Sequence, residues 1–148
     1  MANTRNNVLD LADGLHSAAI HLLRQVRVED RVCGVGPAQL SALSVLVFGG
    51  STSLKQLAAV EQVRPPTMVR IVRGLVEQRL ARTGSNKDDR RKITIAATAS
   101  GKSLLMQARE RRVQALARAL SAMTETEQEG LRAAVAVLKK VHVTPPAS

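Results

Sequence analysis

The chain has no tryptophan, no tyrosine and one phenylalanine in 148 residues. It therefore cannot build the aromatic platform on which single-strand and RNA-binding folds stack unpaired bases. Its one cysteine, Cys33, rules out an intrachain disulfide framework and a multi-cysteine metal site. No uninterrupted apolar run reaches 18 residues, and the opening MANTRNN has no apolar signal-peptide core. These absences predict a soluble, cytoplasmic protein with no membrane partner. Acidic residues are also scarce, 12 against 22 basic ones, for a formal charge of +10.

What remains is aliphatic. Apolar residues make up 45% of the chain, and a core built from Leu, Val, Ala and Ile suits close helix packing. The length fits one domain, or one domain with a dimerisation appendage. The positive charge is concentrated. Between Arg64 and Lys92 stand nine basic residues (Arg64, Arg70, Arg73, Arg79, Arg82, Lys87, Arg90, Arg91, Lys92) against Glu77, Asp88 and Asp89. Residues 1–63 balance at five of each sign. Clustered cations on one helix and one loop are the electrostatic footprint of a nucleic-acid binder, although a basic face can also be merely solvated.

Periodicity predicts the elements. From Val8 to Val28, the residues Leu11, Leu15, Ala18, Leu22 and Val26 form a helical stripe, broken by Val32-Cys33-Gly34-Val35-Gly36-Pro37. Pro37 to Phe48 reads as a core helix with little exposed face, ended by Gly49-Gly50. Ser51-Thr52-Ser53 offers caps for a short helix from Leu54 to Val60, with Leu57 and Ala58 inward. After Glu61-Gln62-Val63, Arg64 precedes a double proline, and Pro65-Pro66 fits a helical first turn. That helix, running to about Leu80, is predicted to bury Val69, Val72, Leu75 and Val76 and to expose Thr67, Met68, Arg70 and Arg73. Two short helices joined by a tight break form a helix-turn-helix pattern.

Leu80 to Thr83, the turn residues Gly84-Ser85-Asn86 and the alternating Lys92-Ile93-Thr94-Ile95-Ala96 then read as a β-hairpin with a charged tip. Such a tip suits arginine in a narrow minor groove. From Gly101 to about Met123 a helix is anchored by Leu104, Leu105, Val113, Leu116 and Leu120, with Arg109 to Arg112 as an exposed charged interruption. Thr124 and Glu127 match a capping box for a last helix to about Val141. The fold class predicted is mainly α (α+β): a winged helix-turn-helix lobe with a small hairpin wing, plus N- and C-terminal helices. The lobe covers residues 34–98, residues 6–31 and 99–143 supply dimerisation helices, and 144–148 form a tail. The terminal apolar stripes pair most simply with each other and with a second copy. A two-fold dimer of this kind sets two reading helices roughly 34 Å apart on the duplex.

At this point the chain resembles the MarR family (multiple antibiotic resistance regulators) over nearly its whole length. Asp89-Arg90-Arg91 corresponds to the family's D-x-R wing motif, and Thr98 stands where its Leu-Thr pair ends, with Gly101 three residues on. Pro66-Thr67-Met68-Val69-Arg70 looks like the start of its recognition helix, and Leu57-Ala58 like the Leu-Ala of the helix before. Three positions depart: Ala97 for Leu, Arg79 for a helix-ending Gly, and Thr83 for Arg.

The resemblance implies a homodimeric regulator, read as a repressor over an activator, on a pseudo-palindromic operator. A small-molecule effector is a candidate partner, and no cofactor or enzymatic activity is implied. Arg90 and Arg91 would be the wing arginines, with Asp89 orienting one of them or pairing with a recognition-helix arginine. Thr67 and Arg70 would face the major groove, and Ser53, Lys55 and Arg73 would contact phosphates. Arg64, Pro66, Met68 and Lys87 complete the expected DNA-binding set.

Other chemistry is weaker. Cys33 is a redox candidate without a resolving partner, and its default reading is an inert small residue. His16 and His21 lie five apart, on different helical faces, and His142 is near the terminus, so zinc ligation and Cys-His catalysis lack a motif. By analogy, an effector pocket would draw on His16, Ile20 and Val47. The alternative function is a basic helical protein that coats nucleic acid without sequence preference.

Overall fold

The computed structural model describes residues 2–85 and 93–142. Its helices are α1 (Ala2–Val26), α2 (Pro37–Gly49), α3 (Leu54–Val60), α4 (Pro65–Glu77), α5 (Ala99–Leu120) and α6 (Glu125–Leu138). A 3-10 segment spans Arg27–Cys33. The strands β1 (Thr52–Ser53), β2 (Ala81–Ser85) and β3 (Ile93–Ala97) form an antiparallel sheet in the order β1-β3-β2. The fold is the expected winged helix, mainly helical with one small sheet. The chain divides into two compact units, residues 1–112 and 113–148.

In the first unit the local chemistry explains each boundary. Pro37 starts α2, and the Gly36 N–H donates to Gln39 Oε1 at 3.0 Å. Ser53 caps α3: its Oγ accepts from the Gln56 N–H at 3.2 Å and donates to Gln56 Oε1 at 3.0 Å. The two helices of the helix-turn-helix end alike. Val63 N–H reaches back to Ala58 O and Gln62 N–H to Ala59 O. Leu80 N–H reaches Leu75 O, and Arg79 N–H reaches Val76 O. Both are Schellman closures, whose pivot residue must be left-handed. Gln62 (φ 53°) and Arg79 (φ 59°) hold those pivots. Glycine suits such a backbone better, because a Cβ there costs about 1–2 kcal/mol. Arg79→Gly is therefore expected to raise stability by up to about 1 kcal/mol once its added unfolded-state entropy is subtracted. A urea titration that shows a net loss refutes this.

The core of the lobe centres on Leu43, Leu57, Met68, Leu75 and Ile95, all below 2% exposed. Helices α2, α3 and α4 and strand β3 thus each contribute to one cluster. Strand β1 was not foreseen; it adds Thr52↔Ile95 and Ser53↔Thr94 to the sheet. Of the two isoleucines expected to share a buried face, Ile95 is buried and Ile93 is 67% exposed. Ile93 pairs with Ser85 at the far end of the ladder.

Several boundaries differ from the sequence expectation. The first helix starts at Ala2 and gives way to the 3-10 segment at Arg27, one residue before Val28. Helix α2 does carry an exposed end, since Phe48 is 70% exposed. The run Arg109–Arg112 is only half exposed, because Arg111 and Arg112 fold back on the 3-10 segment. Arg112 Nε lies 3.4 Å from Asp30 Oδ1, and Arg111 Nη2 donates to Cys33 Sγ at 3.2 Å. Asp30 is 7% exposed and makes its charge contact without hydrogen-bond geometry at Oδ1.

In the second unit, α6 opens with the expected capping box. Glu127 N–H donates to Thr124 Oγ1 at 3.3 Å, and Glu127 Oε2 accepts from the Thr124 N–H and hydroxyl, both at 2.8 Å. Those bonds, the backbone one foremost, hold the Glu127 carboxyl below its ordinary range. No residue of α6 is buried.

Candidate nucleic-acid interface

An α-helix advances about 100° per residue, so α4 has one face to bury and one to offer. The buried positions are Met68, Val72 and Leu75, spaced four and three apart. The opposite face presents Pro66, Val69, Arg70, Arg73 and Glu77, all exposed, with Thr67 half-buried at its edge. Two expectations are corrected here. Met68, expected on the outer face among the DNA contacts, is 0% exposed and belongs to the core. Val69 and Val76, expected inside, are 39% and 36% exposed. The segment carries apolar residues at 68, 69, 71, 72, 75 and 76, so two overlapping stripes were available. Packing against α2 and α3 selects the one through Met68.

The start of α4 is fixed by its own backbone. Arg64 sits at the cap in an extended conformation, and its carbonyl accepts from the Thr67 and Met68 N–H groups at 3.0 and 3.1 Å. Its side chain, like that of Lys55 in the first turn of α3, is exposed. The Ser53 hydroxyl, expected both among the caps and among the phosphate contacts, caps α3. Lys87, Asp89, Arg90 and Arg91 lie outside the described residues. The structure thus brings together Arg64, Pro66, Thr67, Arg70 and Arg73 on one helix.

Two further contacts hold that helix in place. Gly74, on its flank, faces α2, where a Cβ would come within 2.4 Å of Gln39 Nε2. Since Gln39 is itself tied to Gly36, α2 and α4 meet through a short, defined spacer. An isolated glycine within a helical pattern was the available signal for this contact. At the other end, the Thr98 hydroxyl donates to Arg79 O at 2.7 Å and accepts from the Gly101 N–H at 3.0 Å. The Thr98 N–H reaches Leu80 O at 3.0 Å. The end of α4, the end of β3 and the start of α5 are thereby joined through one threonine.

Other sites are less developed. His16 is exposed, and His21 exchanges a 2.9 Å hydrogen bond with Gln25. Among the described residues no three His, Cys, Asp or Glu side chains converge as a metal site. Among the described residues one cavity lies at the end of α1 and another along Leu120, Leu131 and Val135; His16, Ile20 and Val47 line neither of these. Among the described residues no single helix is long and apolar enough to cross a membrane.

Residues 34–92 match the family model described as MarR family. That span holds α2, the capped α3, the proline-started α4 and strand β2. An uncharacterised helix-turn-helix-type transcriptional regulator of Mycobacterium bovis is 33% identical over 124 residues, covering 84% of this chain and 87% of that protein. The chain belongs to the MarR family. Among solved structures, RV1404 from Mycobacterium tuberculosis superposes with a TM-score of 0.79 at 26% identity, over 95% of this chain and 97% of that one. A variant of MepR from Staphylococcus aureus, solved bound to an oligodeoxyribonucleotide, shares the fold at 17% identity, with a TM-score of 0.69 over 85% of this chain and 93% of that one. The chain is thus a MarR-family protein among DNA-binding transcriptional regulators, and its relatives are regulators rather than enzymes.

Proposed function

We propose that the chain is a sequence-specific, double-stranded DNA-binding repressor that acts as a cytoplasmic homodimer on a pseudo-palindromic operator, with a small-molecule effector as a candidate partner. The observation that carries this reading is the division of α4. Met68, Val72 and Leu75 anchor it in the lobe, while Arg70 and Arg73 project from the opposite side. A helix held so firmly on one side can place two guanidinium groups in a major groove without first being ordered. Arg70 and Thr67 would read base edges. Arg64, Lys55 and Arg73 would contact phosphates, and Arg90 and Arg91 of the wing would reach the flanking groove. A protein of the same fold, the MepR variant, was solved bound to an oligodeoxyribonucleotide, which supports DNA as the partner.

The homodimer rests on unburied apolar surface. Helix α1 exposes Val8, Leu9, Leu11, Leu22 and Leu23 by 48–71%, and α6 exposes Leu131, Val135, Val137 and Leu138 by 39–61%. Contiguous faces of this kind on a soluble chain mark contact sites. The reading is tested by selecting preferred duplexes from a random pool and then measuring binding across a salt series. A short inverted repeat is expected. Arg70→Ala should cost about 1–3 kcal/mol at one base position and relax preference there. Uniform, salt-sensitive binding to every duplex would instead establish the coating alternative.

A further inference from the structure

The end of α1, the 3-10 segment and the start of α2 enclose a cleft of about 370 Å³. Arg24, Arg27 and Arg31 line it, and Val28, Val35 and Pro37 supply an apolar wall. All three arginines are exposed, and among the described residues none has a hydrogen-bond or ion-pair partner. The carboxylate on the wall, Asp30, is already turned to Arg112 at 3.4 Å. Its neighbour Glu29 is engaged as well. The cleft therefore gathers three cations, the one acid among its lining residues is turned to Arg112, and like charges held together in a concavity favour an anion. Its volume lies within the range of small-ligand sites, roughly 300–1,000 Å³.

The type of cation narrows the anion. A guanidinium presents a planar fork that matches phosphate oxygens two at a time. A phosphate monoester carries close to two negative charges at neutral pH, which suits three arginines better than a single carboxylate charge does. The first turn of α2, a 13-residue helix entered through Pro37 at the cleft, adds its positive end to the same field. Val28, Val35 and Pro37 leave room for an organic body beside the charged group.

We infer that this cleft binds a phosphoryl group, from a free phosphate monoester with an apolar body or from the backbone of a duplex beyond the reading helix. The first source stands independently of the DNA reading, and the second rests on it.

Calorimetry of the full chain with phenyl phosphate as probe, run beside duplex binding over a salt series, tests the site. Wild type should take up phenyl phosphate and give no heat with benzyl alcohol, which has a ring but no phosphate. Arg27→Gln/Arg31→Gln should weaken the probe about tenfold or more, as expected for lost charged hydrogen bonds, while Arg132→Gln on α6 leaves it unchanged. Those results assign the site to a free ester. A probe that gives no heat, with a shallower duplex salt slope in the double variant, assigns it to the DNA backbone. If the folded double variant, verified by a circular-dichroism melt, matches wild type with both probe and duplex, the inference is overturned. Wild type that takes up phenyl phosphate but shows no duplex preference defeats the repressor reading alone.

Discussion

Gly101→Ala is expected to lower stability by about 3 kcal/mol, the upper end of the range for overpacked cores. A chain of this size should then melt roughly 6–12 °C lower. Gly101 is buried at the start of α5, and a Cβ there would stand 2.1 Å from Leu80 O, 3.0 Å from Leu80 C and 3.1 Å from Leu43 Cδ1. A leucine methyl can rotate away, but the Leu80 carbonyl cannot. It accepts from the Thr98 N–H, and Leu80 itself closes the end of α4 through Leu75 O. Moving that carbonyl pulls on the Schellman closure and on the threonine that joins α4, β3 and α5. Trimming the neighbouring side chain should therefore fail to restore stability: Gly101→Ala/Leu43→Ala should melt below either single variant, since a cavity is added without relieving the backbone clash. Calorimetric melting of the four proteins checks both statements. Recovery in the double variant would mean that the side chain was the obstacle.

The same region shows what could be read from the sequence and why. Signals acting within a few residues were legible. Pro65-Pro66 marks the start of α4, Thr124 with Glu127 the start of α6, Pro37 the start of α2, and Ser53 the cap of α3. Each works within a single turn, through a ring or a side chain that meets the adjacent backbone, so the outcome does not depend on a distant partner. Thr98 and Gly101 were legible only as a pattern shared with the family. The structure supplies the physical cause, a hydroxyl bridging Arg79 O and the Gly101 N–H, and a close approach that admits no side chain. Arg79 shows the converse. Its departure from the usual glycine was visible, and its cost becomes readable once the residue is seen at φ 59°. Contacts between Asp30 and Arg112, or Cys33 and Arg111, join residues about eighty positions apart, and nothing local announces them. A charged run such as Arg109–Arg112 reads as solvated until a buried acid is placed beside it.

The roll of α4 is the point at which periodicity and structure differ most, and Met68→Ala is where it is tested. Periodicity put Met68 in the groove and Val69 in the core; the structure reverses them, at 0% and 39% exposed. Truncating a fully buried methionine is expected to cost about 2–5 kcal/mol through lost contacts and the cavity left behind. Val69→Ala should cost less, because its side chain is already partly hydrated. Arg70→Ala, at an exposed position, should change stability by no more than about 0.5 kcal/mol, while altering base preference. The two kinds of loss separate when duplex binding is normalised to folded protein. Met68→Ala should then keep the wild-type base preference despite a large drop in melting temperature, whereas Arg70→Ala should melt normally and discriminate poorly. A Met68→Ala protein that melts like wild type but reads a different base would place the methionine in the groove. It would turn α4 by about 100°, a single residue step, and carry Arg70 and Arg73 away from the face on which the proposed reading depends.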